Sequence, residues 1–249
     1  MIPKIIHYIW FGDELPEDYQ KFINHWKKVM PDYEIMGWNL NNIKIEHNKY
    51  TDSVKSYAYL SDYYRLKILY EYGGIYLDTD VEVFKKFDEF LKYDLFTCNH
   101  YDCMVGGGVL GASKNNKDVS NLLDLTVKRY NEKHINECNN YIYTIYFINN
   151  YNEFKLNGET QTFSNIFIGS KDYFEQPSWH KNKTGYSLHH CGGSWYSKNT
   201  NMVKRIFKRL VGIKLTRWFS EKKREKKNPF YEYYRLQKKG IKPDNIKFD

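Results

Sequence analysis

At 249 residues, with 41% hydrophobic and 27% charged side chains, the chain is long enough to bury one core and too apolar for a disordered segment. No apolar run reaches the roughly 20 residues that a membrane-spanning helix requires. The formal charge of +8 is uneven: residues 202–227 hold eleven Lys and Arg against Glu221 and Glu225, a net of +9 that leaves about −1 elsewhere, so a nucleic-acid-binding body is excluded.

Lys4–Trp10 reads as an apolar first strand, and the run from Met1 to Phe11 lacks the basic region, long apolar stretch and small-residue cleavage site of a secretory leader. Pro16–Met30 places Phe22, Ile23, Trp26 and Val29 at helical spacing behind an acidic first turn. Tyr33–Trp38 follows as a second strand. A long helix is predicted over Asp52–Tyr72, ended by Gly73-Gly74. Ile75–Leu77 is the next strand, with Val81–Phe84 continuing extended. Leu95–Asn99 and Gly107–Ala112 are further strands, Asn116–Lys133 and Glu137–Asn150 further helices, and 160–200 short strands and loops. This alternation predicts one α/β domain over residues 1–200 with a mixed central sheet, followed by a tail at 201–249. The four cysteines show no Cys-x-x-Cys spacing, so reduced thiols in a cytoplasmic protein are expected.

The chemistry concentrates at Asp78-Thr79-Asp80, where an apolar strand ends. Side chains alternate along a strand, so Asp78 and Asp80 are expected on one side. Two carboxylates aimed together suit an oxygen-loving cation, Mg²⁺ or Mn²⁺, which keeps open positions for diphosphate oxygens. One helix earlier, Asp62 and Arg65 stand three apart and share a face. Alone they would be an ordinary intrahelical pair; beside the acidic strand end, the planar Arg fork suits diphosphate or sugar hydroxyls. Gly106-Gly107-Gly108 lacks the order of a phosphate loop and reads as close backbone approach at the floor of a site.

Three ordered blocks carry a resemblance: Ile2-Pro3-Lys4-Ile5-Ile6-His7-Tyr8-Ile9-Trp10-Phe11-Gly12, Ser61-Asp62-Tyr63-Tyr64-Arg65-Leu66, and Leu69 through Gly73-Gly74 to Asp78-Thr79-Asp80. They resemble the Asp-x-Asp glycosyltransferases of family 32 that act in bacterial capsule synthesis, distant relatives of yeast Och1-type mannosyltransferases and glucosylating clostridial toxins. The likeness covers residues 1–115 and resumes at Tyr173–Pro177 and His189–Trp195. It implies a GT-A type Rossmann-like fold, a UDP- or GDP-linked sugar donor (UDP favoured), a divalent metal and retention of anomeric configuration. Carried over by position, Ile5, His7 and Trp10 line the nucleotide pocket. Asp62 and Arg65 hold donor sugar hydroxyls, and Tyr76 sits beside the donor. Asp78 contacts ribose or sugar, Asp80 is the direct metal ligand, and Ser194 and Trp195 close over the diphosphate. Either His189 or His190 is near the metal. His7 is also readable as a core histidine, and His25, His47, His100, His134 and His180 show no ligand spacing. The chain departs from the family at Gly158-Glu159 and Asn115-Asn116, where acceptors bind, so the acceptor stays open between a growing capsular or surface polysaccharide and a polyprenyl-diphosphate-linked oligosaccharide.

In the tail, Val203, Ile206, Phe207, Leu210 and Val211 recur at helical spacing between Lys204, Arg205, Lys208 and Arg209, ahead of Lys222–Lys227. A basic amphipathic helix of this kind fits an anionic membrane interface, which places the protein on the inner face of the cell membrane; packing on the domain is the other reading. Two competing functions remain: a haloacid-dehalogenase-like phosphatase, disfavoured by Glu82 after the acidic pair, and a non-catalytic nucleotide-sugar or glycolipid binder.

Overall fold

The computed structural model describes residues 1–54, 56–132, 138–175, 185–191, 222–241 and 243. Strand β1 (Ile5–Ile9) runs parallel to β2 (Glu34–Trp38), reached through helix α1 (Glu17–Val29). After the short α2 (Lys49–Ser53) and the longer α3 (Tyr57–Tyr72), β3 (Gly74–Leu77) joins the other side of β1, again parallel. Strand β4 (Val81–Val83) leaves this sheet, whereas β5 (Leu95–His100), β6 (Met104–Val105) and β7 (Val109–Ala112) return to it. Helices α4 (Lys117–Asn131) and α5 (Asn139–Asn150) precede β8 (Gln161–Phe163), β9 (Ile166–Gly169), α6 (Lys171–Phe174) and β10 (Ser187–His189); α7 (Tyr231–Lys238) is last.

The main sheet has the order β2-β1-β3-β7-β5-β9-β8, with β6 attached to β5. Strand β7 is antiparallel to both β3 and β5, and β9 lies parallel to β5. The mixed α/β sheet expected from the sequence is therefore present. Alternation along its strands feeds two apolar layers: Ile75, Leu77, Phe96 and Phe167 pack with Trp26 of α1 and Phe90, while Tyr76, Leu95, Ile166 and Ile168 pack with α3, α4 and α5. With both faces covered, β3 reads as a continuous buried run.

The glycine pair after α3 makes this packing possible. Gly74 has φ +107°, and a Cβ there would lie 2.6 Å from the carbonyl oxygen of Ile5, so only glycine lets β3 close on β1.

The single helix expected over Asp52–Tyr72 is two. Asn48 accepts the Thr51 backbone N–H, and Thr51 Oγ1 accepts that of Asn48, a reciprocal cap that starts α2 early. Val54 and Ser56 are both extended, so α3 begins anew.

Two residues assigned to the nucleotide pocket lie elsewhere. Ile5 begins β1, whereas the cleft opens at the other end of that strand, beyond Ile9. His7 is fully buried: its Nε2–H donates to the Gly73 carbonyl (2.8 Å) and its Nδ1 accepts the Trp38 indole N–H (3.1 Å). It is a core histidine that ties β1 to β2 and to the end of α3.

The basic tail is not an appendage over the residues described. Phe230 is fully buried, 4.8 Å between ring centroids from Tyr141, and Tyr234 joins the same layer. Glu225 is buried too, paired with Lys222 at 2.6 Å. The amphipathic stretch Val203–Val211, with Trp218 and Phe219, lies outside the described residues.

Burial lowers the His7 pKa to about 4, against the pull of its bond to Gly73. The unfolded chain then binds a proton near pH 6.5 that the folded chain refuses, so stability present above pH 6.5 falls as pH drops toward 4. The expected loss from this residue is about 3 kcal/mol. Urea unfolding of wild type and His7→Gln at pH 7 and pH 4 measures it as the difference between their pH-dependent losses.

Candidate active site

A cleft of about 780 Å³ opens where β1 and β3 end, lined among others by Trp10, Phe11, Tyr19, Asp62, Arg65, Tyr76, Asp78, Asp80, Tyr101 and His189. Ligands of open α/β sheets bind at this carboxyl end of the strands.

Its floor is organised by α3. Leu66 and Leu69 seat the helix in the core, and the same helix buries Asp62 and Arg65 at 5% and 3% exposure, so theirs is not a solvated surface pair. Arg65 Nη2 lies 2.8 Å from Asp62 Oδ1 and 3.2 Å from Asp78 Oδ1, while Nη1 donates to the Gly107 carbonyl at 2.6 Å. Its guanidinium carbon also sits 4.4 Å from the centre of the Tyr76 ring. Burial works against the Arg65 charge, but Asp78, Tyr76 and Asp62 outweigh it and raise its pKa. For Asp62 burial wins: despite Arg65 its pKa is pushed up to about 6. The Arg65 fork thus meets three acceptors of the protein itself, and it orders the acidic turn from beneath.

That turn differs from the expected strand. β3 stops at Leu77; the Asp78 carbonyl accepts the Val81 N–H at 3.0 Å, so Asp78-Thr79-Asp80 is a tight reversal. The Tyr76 hydroxyl donates to Asp78 Oδ1 at 3.1 Å. Convergence of the two aspartates therefore comes from the turn and from a third residue, His189, not from strand alternation. Strand β10 pairs antiparallel with β4, setting His189 opposite Val81. His189 Nε2 then stands 3.2 Å from Asp80 Oδ1 and 3.7 Å from Asp78 Oδ2. His190, the residue just past the strand, faces away: it pairs with Glu82 at 3.2 Å and stacks on Phe22 at 4.9 Å. Of the two histidines only His189 is at the site.

Glycine makes room here. A Cβ on Gly108 would lie 2.8 Å from the His189 ring and 3.1 Å from Asp78 Oδ2, so backbone approach is what lets the cluster close. Trp10 and Tyr76 line the cleft. Ser194 and Trp195 lie outside the described residues.

Sequence reading missed Glu175 and His100. Glu175 is buried, and its oxygens lie 3.0–3.1 Å from His189 Nδ1 and 3.0 Å from His100 Nδ1. Burial would raise its pKa, but His189 and His100 overcome that and hold it ionised. Neither residue has motif spacing to the acidic pair; the one signal was that Glu175 falls in the Tyr173–Pro177 stretch where the resemblance resumes, and His100 had none.

The donor atoms of Asp78, Asp80 and His189 lie within 4.8 Å of one another. Two carboxylates and one imidazole fit Mn²⁺ well and Mg²⁺ acceptably, and the cluster faces the cleft, which leaves coordination positions open to a ligand.

Residues 16–97 match a family described as the glycosyltransferase sugar-binding region containing DXD motif. Inositol phosphoceramide mannosyltransferase 3 of Schizosaccharomyces pombe is 32% identical over 120 residues, which are 45% of this chain and 34% of that protein. Mannosyl phosphorylinositol ceramide synthase CSH1 of Saccharomyces cerevisiae is also 32% identical, over 45% of this chain and 32% of its own. The chain spans about a third of the length of these curated relatives. Among solved structures, the PaToxG glycosyltransferase aligns with a TM-score of 0.49 at 21% identity, over 60% of this chain and 70% of that one. Over the matched stretches the chain is similar to DXD-type glycosyltransferases.

Replacing Arg65 by Gln leaves Asp62 and Asp78 facing each other without the cation between them. Removing one partner of a buried ionic set costs about 3–5 kcal/mol, and denaturant unfolding of Arg65→Gln should show a loss of that size. Arg65→Lys, which keeps the charge but not the fork, should lose less.

Proposed function

We propose that this protein is a metal-dependent, retaining glycosyltransferase of GT-A type that moves a sugar from a nucleotide-diphosphate donor to a saccharide or lipid-linked acceptor. The observation that carries it is the convergence of Asp78, Asp80 and His189 in a cleft whose floor is the buried Arg65–Asp62 pair.

Asp80, Asp78 and His189 are the residues that would hold Mn²⁺ or Mg²⁺. When bound, the cation supplies positive charge to a diphosphate whose own charge rises as the sugar leaves. Arg65 keeps the Asp78 carboxylate oriented from below, and the Tyr76 hydroxyl holds the same oxygen from the side. Trp10 and Tyr19, whose rings meet edge to face at 5.6 Å, offer an aromatic wall to the nucleoside. Arg224 also lines the cleft and donates to the Tyr101 hydroxyl at 3.2 Å, adding a cation near the phosphates. Ser194 and Trp195 retain their assignment to the diphosphate from the resemblance. Enclosure by such groups excludes water, which would otherwise hydrolyse the activated sugar. We assign no general base; the departing phosphate takes the acceptor proton.

A UDP-sugar remains the favoured donor, and the relative named as a mannosyltransferase adds a mannosyl donor, UDP- or GDP-linked, to the candidates. Its name, which specifies inositol phosphoceramide, favours an acceptor carried on a lipid, as does the basic stretch at 202–227. We place the protein in the cytoplasm, on the anionic inner face of the membrane, building capsular or other surface polysaccharide. No helix among the described residues is long and apolar enough to cross a membrane; the association we propose is peripheral.

The right nucleotide sugar should raise the thermal midpoint in the presence of Mn²⁺, and release of nucleoside diphosphate should stop in EDTA. Asp80→Asn should abolish that release while leaving the protein folded; full turnover in EDTA overturns the proposal. Gly108→Ala, which crowds His189 and Asp78, should weaken the metal requirement's apparent affinity roughly 10-fold or more, read as the Mn²⁺ concentration giving half-maximal release.

A further inference from the structure

We propose that Glu175 is a positioning residue that sets the orientation of His189 toward the cation, an inference that rests on the metal-binding reading above. Glu175 does not line the cleft. Both of its oxygens lie within 3.1 Å of His189 Nδ1, and Oε2 also receives the His100 Nδ1–H at 3.0 Å, so one carboxylate is clamped between two imidazoles. A metal-binding histidine whose second nitrogen donates to a carboxylate has its ring plane fixed and its ligating nitrogen made more basic. Here that leaves Nε2 as the nitrogen directed into the cluster, 3.2 Å from Asp80 Oδ1 and 3.7 Å from Asp78 Oδ2.

The clamp is anchored independently of the site. Glu175 follows α6, whose Phe174 is fully buried against Phe87, Phe90 and Phe96. Two bonds tie the end of α6 to the strand that carries His189: Ser187 Oγ donates to the Phe174 carbonyl at 2.8 Å, and the Tyr186 N–H donates to the Tyr173 carbonyl at 2.8 Å. Glu175 and His189 are therefore held in one rigid unit. Gly106 gives the carboxylate its space, since a Cβ there would stand 3.3 Å from Oε1.

The test measures Mn²⁺ binding to the full chain by electron paramagnetic resonance, with ¹⁵N-labelled histidine reporting nitrogen coupling to the metal. Thermal unfolding without metal checks the fold of each variant. Glu175→Gln and Glu175→Ala should bind Mn²⁺ 10–100-fold more weakly than wild type and lose the nitrogen coupling, whereas Asp80→Asn should lose binding altogether. His100→Gln, which removes only the outer half of the clamp, should weaken binding several-fold and serves where a Glu175 variant does not fold. Wild-type affinity and coupling in the folded Glu175 or His100 variants, with binding lost in Asp80→Asn, overturns the positioning role and leaves the metal reading standing. Absence of Mn²⁺ binding by the wild type overturns the metal reading and this inference with it.

Discussion

The site depends on a guanidinium placed where water cannot reach it. Arg65 is 3% exposed, and a buried charge is tolerated only with partners of opposite charge in good geometry. Asp62 comes from the same helix, Asp78 from the turn after the next strand, and the Gly107 carbonyl from the approach to β7. One side chain therefore ties three separate segments together at the point where the cleft forms. Because the two aspartates are unequal in exposure, the cation leaves Asp62 a buried partner and turns Asp78 toward the cleft, where its second oxygen is available.

A second constraint completes the cluster from far along the chain. The pairing of β4 with β10 joins residues more than a hundred positions apart, and its register decides which of two adjacent histidines enters the site. A shift of one residue would exchange His189 for His190, since neighbouring side chains on a strand face opposite ways. That register is supported from behind by the aromatic layer of Phe87, Phe90, Phe96, Phe174 and Tyr186, which packs both the end of α6 and the segment leading into β10.

The similarity to glycosyltransferases and the geometry divide along the same line. The matched region, residues 16–97, holds Asp62, Arg65, Asp78 and Asp80, whereas His189, Glu175 and His100 lie beyond it. The acidic turn and its buried Arg65–Asp62 support thus sit in the matched region, and the residues that complete and orient the cluster come from outside it, Glu175 and His189 from the two short stretches where the resemblance resumes. Residues 222–241 follow the same logic: they pack on the body through Phe230 and bring Arg224 to the cleft, although their composition suggested a free basic tail. Composition records charge, but not that Phe230 and Tyr234 are the residues a neighbouring helix covers.

What the chain alone determined is local in origin. Alternating apolar strands and helices specify an α/β sheet, glycines at 73 and 74 specify a break where only glycine fits, and Asp78-Thr79-Asp80 beside Asp62 and Arg65 specifies acidic chemistry at a strand end. These signals depend on periodicity and on residues a few positions apart, so they survive without coordinates. Tertiary structure decided the rest. It buried His7 between β2 and the end of α3, chose His189 over His190, broke the long helix at Val54 and Ser56, and recruited Glu175 and His100. Each of these outcomes turns on contacts across the fold or on which face of a strand a side chain takes, and neither is written in the spacing of the sequence.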